Sequence, residues 1–215
     1  MSREELDRLE SHPLIERFVR ALVERPGREI HTEPPTRLAA ILLVLREGDG
    51  GEPELLLIKR AEADGDPWSG HIACPGGRME ASDRDLEMTA VRETREETGI
   101  DVAHEGRVLG HLDDLRPRSS FLPPIVIRPY VALVRAGVRI LASREVASAF
   151  WVPLSALREQ SAWSLGSVQA HGTSRHVSIF QHGEHTVWGL TERALRQFLT
   201  YVGEPPAGES VDQVR

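Results

Sequence analysis

The chain has 215 residues, 40% of them hydrophobic and 27% charged, the proportions of a globular protein able to bury a core, not of a disordered one. Its 26 Lys and Arg against 33 Asp and Glu leave a formal net charge of −7, which argues against a nucleic-acid partner, since phosphate-rich polymers are held by basic surfaces. The single cysteine, Cys74, excludes an intrachain disulfide framework and fits a reducing compartment.

Taken in chain order, MSREELDRLE lacks the apolar core of a signal peptide. Leu6, Leu9, Ile15, Phe18, Val19 and Leu22 then recur at helical spacing over 4–24. Pro13 opens a second helix after a short break, with Ser11 as its expected cap. The stretch 26–36, with Pro26, Gly27, Pro34 and Pro35, reads as a linker. A helical extension and linker over 1–36 is therefore expected before a main domain over 37–202. Its first strands fall at 37–45 and 54–59, around a Gly-rich turn at 48–51. The longest apolar run, 38–45, is far shorter than the roughly 18 residues that span a bilayer. No membrane partner and a cytoplasmic location are expected.

Residues 61–77 carry Gly65, Pro67, Gly70, Pro75, Gly76 and Gly77 and read as loop, with a short strand at 71–74. Residues 83–98 contain neither Pro nor Gly, place Leu86 and Ala90 one turn apart, and stop at Gly99. That pattern predicts a helix, with Asp83 at its N-terminal cap. Strands are expected at 108–112, 125–134 and 150–152, and a hairpin pairs 178–180 with 187–190 around Gly183. Thr191 caps a last helix over 192–202. The polar tail 203–215 is expected to lack fixed structure. Strands, a central helix, more strands and a terminal helix indicate an α+β fold with a mixed sheet.

The central helix carries the chemistry. Glu93 and Glu97 stand four apart and Glu93 and Glu96 three apart, so the three carboxylates share one face. Unneutralised, each like-charged pair costs a few tenths of a kcal/mol, or roughly 0.2–0.5. Clustered carboxylates are hard oxygen ligands for Mg2+ or Mn2+, which bridge to substrate phosphates and acidify an attacking water. A solvated face with Arg92 and Arg95 as partners is the alternative for an arbitrary helix. Here the acids follow a Gly76-Gly77 turn and a glycine closes the helix.

The segment resembles the Nudix box, G-x5-E-x7-R-E-U-x-E-E-x-G-U with U apolar. Gly77, Arg92, Glu93, Glu96, Glu97, Gly99 and Ile100 match by type and order. Thr94 stands at an apolar position. The spacing is one residue longer than usual, which puts Asp83 at the first acidic position, as in a subgroup that includes coenzyme A pyrophosphatases. The resemblance implies a Nudix fold, a mixed β-sheet sandwiched between α-helices, and a metal-dependent pyrophosphohydrolase using Mg2+ or Mn2+. It implies Glu93, Glu96, Glu97 and Gly77 at the metal and Glu93, Arg92, Glu96 and Glu97 in catalysis. Arg92 would orient the catalytic carboxylate, and Gly77 would let backbone approach metal and substrate.

The similarity extends over about 37–202. Arg60 ends a strand, as a phosphate-binding fork of donors or as a surface charge. Trp68 either stacks on a base or packs over the core. Glu145 either reaches the metal or substrate or simply precedes its strand. Glu80 is either an acidic neighbour of the box or a solvated loop residue. His71 and Cys74 read as structural. Arg116, Arg118 and Ser119 lie in a loop that either is placed to meet substrate or is simply solvated. The subgroup's His-x-Gly and Phe-Pro-Gly-Gly are replaced by Trp68-Ser69-Gly70 and Cys74-Pro75-Gly76-Gly77.

The expected substrate is a nucleoside diphosphate linked to another moiety, coenzyme A-like or a related nucleotide derivative. ADP-ribose or nucleoside triphosphate cleavage and a non-catalytic ligand sensor are the competing readings. An isomerase on the same fold would need Cys74 as its catalytic thiol. A homodimer stays open.

Overall fold

The structure is a computed structural model describing residues 3–66, 68–117, 124–170 and 173–206. Its central strand is β1 (Arg37–Glu47), the nearly all-apolar RLAAILLVLRE. β1 runs parallel to β6 (Ile125–Val134) from Arg37↔Ile125 to Leu45↔Leu133. Its other edge is divided. β2 (Pro53–Arg60) pairs antiparallel with its end, Leu45↔Leu55 to Glu47↔Pro53. β4 (Gly76–Arg78) takes its beginning, Ala39↔Arg78 to Ile41↔Gly76. β2 pairs antiparallel with β7 (Val146–Pro153) from Glu54↔Pro153 to Arg60↔Val146 and, past the split, with β3 (Ile72–Ala73), while β5 (Gly106–His111) completes the sheet beyond β6.

Strand alternation sends β1 side chains to two cores. Ala40, Leu42 and Val44 face α3 (Leu86–Thr98) with Leu86, Ala90 and Ile100. Leu43 and Leu45 face α2 (Pro13–Glu24) and α6 (Gly189–Tyr201), where Ile15, Phe18, Leu195 and Phe198 are buried. The short helices α4 (Val102–Glu105) and α5 (Leu154–Arg158) lead into β5 and out of β7. Helices therefore cover both faces of a mixed sheet, the expected α/β/α arrangement. Phe18 meets Phe198 at 5.2 Å between ring centroids, so the N-terminal extension shares the main core. The segment after it is tied down: Asp113 accepts from Arg28 N at 2.9 Å and Asp114 from Ile30 N at 2.8 Å.

Several boundaries differ from the sequence reading. The cap of α2 is His12, whose Nδ1 accepts from Leu14 N at 3.3 Å, while Ser11 Oγ donates back to Asp7 O at 2.8 Å at the end of α1 (Arg3–Glu10). α6 starts at Gly189, with Trp188 at the cap position, so Thr191 is a buried first-turn residue. A strand the sequence did not announce, β8 (Trp163–Ala170), pairs with β9 (Thr173–His182), and β10 (His185–Trp188) completes a three-stranded sheet. The tail expectation falls outside the described residues beyond 206, as do Arg118 and Ser119. Before that point Glu204 is ion-paired with Arg17 at 3.0 Å and with Arg158. Among the described residues, no helix is long and apolar enough to cross a membrane.

Candidate active site

α3 begins two residues later than its composition allowed. Asp85 is the cap, with extended backbone and a side chain accepting from Met88 N at 2.8 Å. Asp83 is therefore not the cap. Its buried carboxylate receives the Arg92 guanidinium as a fork, Nε to Oδ1 and Nη2 to Oδ2, both at 2.9 Å. Glu80 N and Thr89 Oγ1 donate to the same carboxylate at 2.9 and 3.0 Å. The Arg92 fork, followed by burial opposing it, holds the Asp83 carboxyl well below the usual range.

With that end fixed, Arg92 Nη1 spans Glu93 at 3.0 Å and Glu96 at 3.1 Å, and Nη2 donates to Arg78 O at 3.0 Å. Glu80 stands at 4.0 Å from Arg92 and is exposed. Glu97 points inward instead. Only 3% exposed, it accepts from Gly76 N at 2.9 Å and lies 3.5 Å from Arg60 Nη1. Burial pushes the Glu97 carboxyl up to about 7, with the Gly76 N–H and Arg60 opposing and Glu93 and Glu145 adding to the rise. Burial likewise raises Glu93, against the pull of Arg92.

The glycine turn has steric reasons. Gly76 has φ +151°, and a Cβ there would lie 2.6 Å from Ile41 Cα and collide with the Ala40 carbonyl. A Cβ on Gly77 would overlap the Glu93 carboxylate. Gly99 closes α3 in the left-handed conformation at φ +75°, donating to Arg95 O at 2.8 Å.

These groups border a cavity of about 870 Å³. Arg60, Trp68, Gly77, Glu93, Glu97 and Glu145 all line it, while Arg92 and Glu96 do not. His71 also borders the cavity, its ring 4.4 Å from Trp188. Cys74 is buried, and burial pushes its thiol up to about 12, far from a reactive thiolate. Asp66 had no role in the sequence reading: it accepts from Arg60 Nη2 at 2.9 Å and from Trp68 N at 3.1 Å. Only the loop before it, rich in turn residues, hinted at a built structure there. Arg175 and Glu192, from β9 and α6, also reach the cavity and carried no sequence signal.

Glu93, Glu96 and Glu97 do not converge on one point. Among the described residues, no three His, Cys, Asp or Glu side chains stand at metal-holding spacing. The reason is visible: Arg92 holds Glu93 and Glu96, and Arg60 faces Glu97. The donor set still fits a hard divalent cation, being all oxygen, with one carboxylate whose charge burial disfavours and a glycine leaving room beside another.

A family model of the NUDIX domain matches residues 35–170. The chain is 32% identical over 177 residues to the uncharacterized Nudix hydrolase NudL of Photorhabdus laumondii, covering 79% of this chain and 90% of that protein. It is 32% identical over 154 residues to the NudL protein of Yersinia pestis, covering 70% and 73%. Among solved structures, a MutT/nudix family protein from Enterococcus faecalis superposes with a TM-score of 0.53 at 21% identity, over 94% of this chain and 75% of that one.

Proposed function

Because this chain belongs to the Nudix hydrolase family, we propose that it hydrolyses the diphosphate of a nucleoside diphosphate joined to a second moiety, a coenzyme A-like nucleotide derivative first among them. The observation that carries this reading is the pair of burial-raised carboxylates, Glu93 and Glu97, beside Gly77 at the edge of a cavity large enough for such a molecule.

Glu93, Glu96, Glu97 and the backbone at Gly77 would hold Mg2+ or Mn2+, with Arg92 yielding Glu93 and Glu96 to the ion. When bound, such an ion neutralises charge on the diphosphate and acidifies the attacking water. The protein supplies position. Asp83 fixes the Arg92 guanidinium beside Glu93 and Glu96, which keeps both carboxylates at the site until an ion takes them. Asp66 steadies Arg60, whose planar donors suit a phosphate. Glu93, or Glu145 lining the same cavity, accepts the proton of the water as its oxygen bonds to phosphorus and the bridging P–O bond breaks. Two phosphorylated products leave. Trp68 is a candidate platform for the base.

The test is a panel of coenzyme A-like, ADP-ribose-like and nucleoside triphosphate compounds with Mg2+ or Mn2+, comparing wild type with Glu97→Gln. Losing a group that only supports a metal ligand costs about 10- to 100-fold, so Glu97→Gln should lower kcat/KM by at least about 100-fold. Full activity in that variant, or no compound cleaved by wild type, sinks the hydrolase reading. Binding without turnover favours a sensor.

A further inference from the structure

Arg92 and Arg60 both face carboxylates of α3, but they are held very differently. Arg92 is bound by Asp83, Glu93, Glu96 and the Arg78 carbonyl. Among the described residues, the Arg60 guanidinium makes a single hydrogen bond, Nη2 to Asp66 Oδ2 at 2.9 Å, and its buried Nε has no partner. Nη1 lies 3.5 Å from Glu97 Oε1, an ion pair too long for a good hydrogen bond. The backbone here is fixed on both sides: Arg60 N donates to His71 O at 2.9 Å and Ala61 N to Glu145 O at 2.8 Å. What can turn is the side chain.

Charge explains why Arg60 faces Glu97. That carboxylate is 3% exposed, and a buried charge is costly unless it is paired. Among the described residues, Arg60 is the one cation in ion-pair contact with it. A divalent ion at Glu97 carries twice that charge and repels the guanidinium. Asp66 then keeps Arg60 at the wall of the cavity, where its unmet donors suit a phosphate. Arg78, Arg175 and Arg193 line the cavity as well, so a phosphate has other cations to meet. Arg60 differs from them in facing a candidate metal ligand.

We propose that Arg60 is an exchangeable counter-ion: it neutralises Glu97 before the metal arrives, is displaced by it, and is kept by Asp66 for the diphosphate of the substrate. Metal loading and substrate binding are then coupled through one side chain. Arg60 and Asp66 are the positioning residues of that exchange. The proposal rests on the reading of Glu97 as a metal ligand.

The test is Mn2+ binding, read without turnover from the electron paramagnetic resonance of free Mn2+ at about pH 8, above the ordinary carboxylate range. It is run with and without α,β-methylene-ADP, a nucleoside diphosphate that cannot be hydrolysed between its phosphates, and corrected for the Mn2+ this analogue binds in solution. Alone, Arg60→Gln should bind Mn2+ about tenfold tighter than wild type, because a like charge beside the ion is gone. Asp66→Asn should bind it more weakly, since the arginine is left with Glu97, and the double variant should match Arg60→Gln. With the analogue present the advantage of Arg60→Gln should disappear, because the displaced arginine of wild type then has a phosphate to meet. Equal or weaker Mn2+ binding by Arg60→Gln, in a protein that melts like wild type, overturns the exchange and leaves the hydrolase reading standing. An analogue that tightens Mn2+ equally in both proteins does the same. Should Arg60→Gln lose its cooperative melt, Asp66→Asn decides by sign, and unchanged or tighter binding there counts against the exchange. Wild type that binds no Mn2+ under either condition brings down the reading of the site itself.

Discussion

Asp83 illustrates how a single carboxylate sets the geometry of others that it never touches. Its oxygens accept both arms of the Arg92 fork, and only with that fork seated does Arg92 Nη1 lie between Glu93 and Glu96. Because the fork holds the folded-state pKa below the unfolded value, this stabilisation is complete above the ordinary range near about 4. It is lost as pH falls through the lower folded-state value. Asp83→Asn should therefore lower the urea midpoint at neutral pH, and the gap to wild type should narrow as acid is added below about pH 4. A gap that stays constant from pH 6 to about pH 3 would contradict the linkage. At Gly77 the clash is local. Gly77→Ala should cut kcat/KM by about 10-fold or more, as misplacement of a catalytic group does, while the melting temperature moves little. Parallel assays and thermal melts check both halves of that expectation.

Among the elements, the helices and central strands were legible because burial repeats in them at a fixed period. Residues 83–98 lack Gly and Pro, and β1 and β6 are nearly unbroken apolar runs. β8 was not legible. WSLGSVQA carries a glycine and polar residues, and its exposed Leu165 breaks the alternation that marks a half-buried strand. Choosing between Asp83 and Asp85 as the cap was equally beyond composition, since both are acids just ahead of an apolar stretch. Backbone direction decided it: Asp85 is extended with its side chain turned to Met88 N, while Asp83 turns toward Arg92. Asp66 could not be found because its partner, Arg60, is met only after the chain folds back. At α2, Phe18 is fully buried against Phe198 and Tyr201. Phe18→Ala should cost about 3–5 kcal/mol of stability, read as a shift in denaturation midpoint, with activity per folded molecule retained.

At the scale of the molecule, the extension over 1–36 and the domain over 37–202 share one core. Leu9, Leu14, Ile15 and Phe18 are all buried in it. Each such side chain contributes about 1.5–3 kcal/mol, so the four together approach the roughly 5–15 kcal/mol that holds a whole domain. Deleting residues 1–24 should leave a chain that aggregates or melts without a sharp transition, as judged by size-exclusion chromatography and circular dichroism. A cooperative melt near the wild-type temperature would show the extension to be dispensable.

The divided edge of β1 has a separate consequence. β4, which carries both glycines of the site, hangs on that strand by a short ladder ending at Ile41↔Gly76, whereas β6 follows it along nearly its full length. Amide protons of β1 that bond to β6 should be among the last to exchange with solvent, and those of β4 much earlier. Function and fold can thus fail separately. A chain whose β4 has peeled away would still be recovered in the soluble fraction, melt like the native protein and turn nothing over.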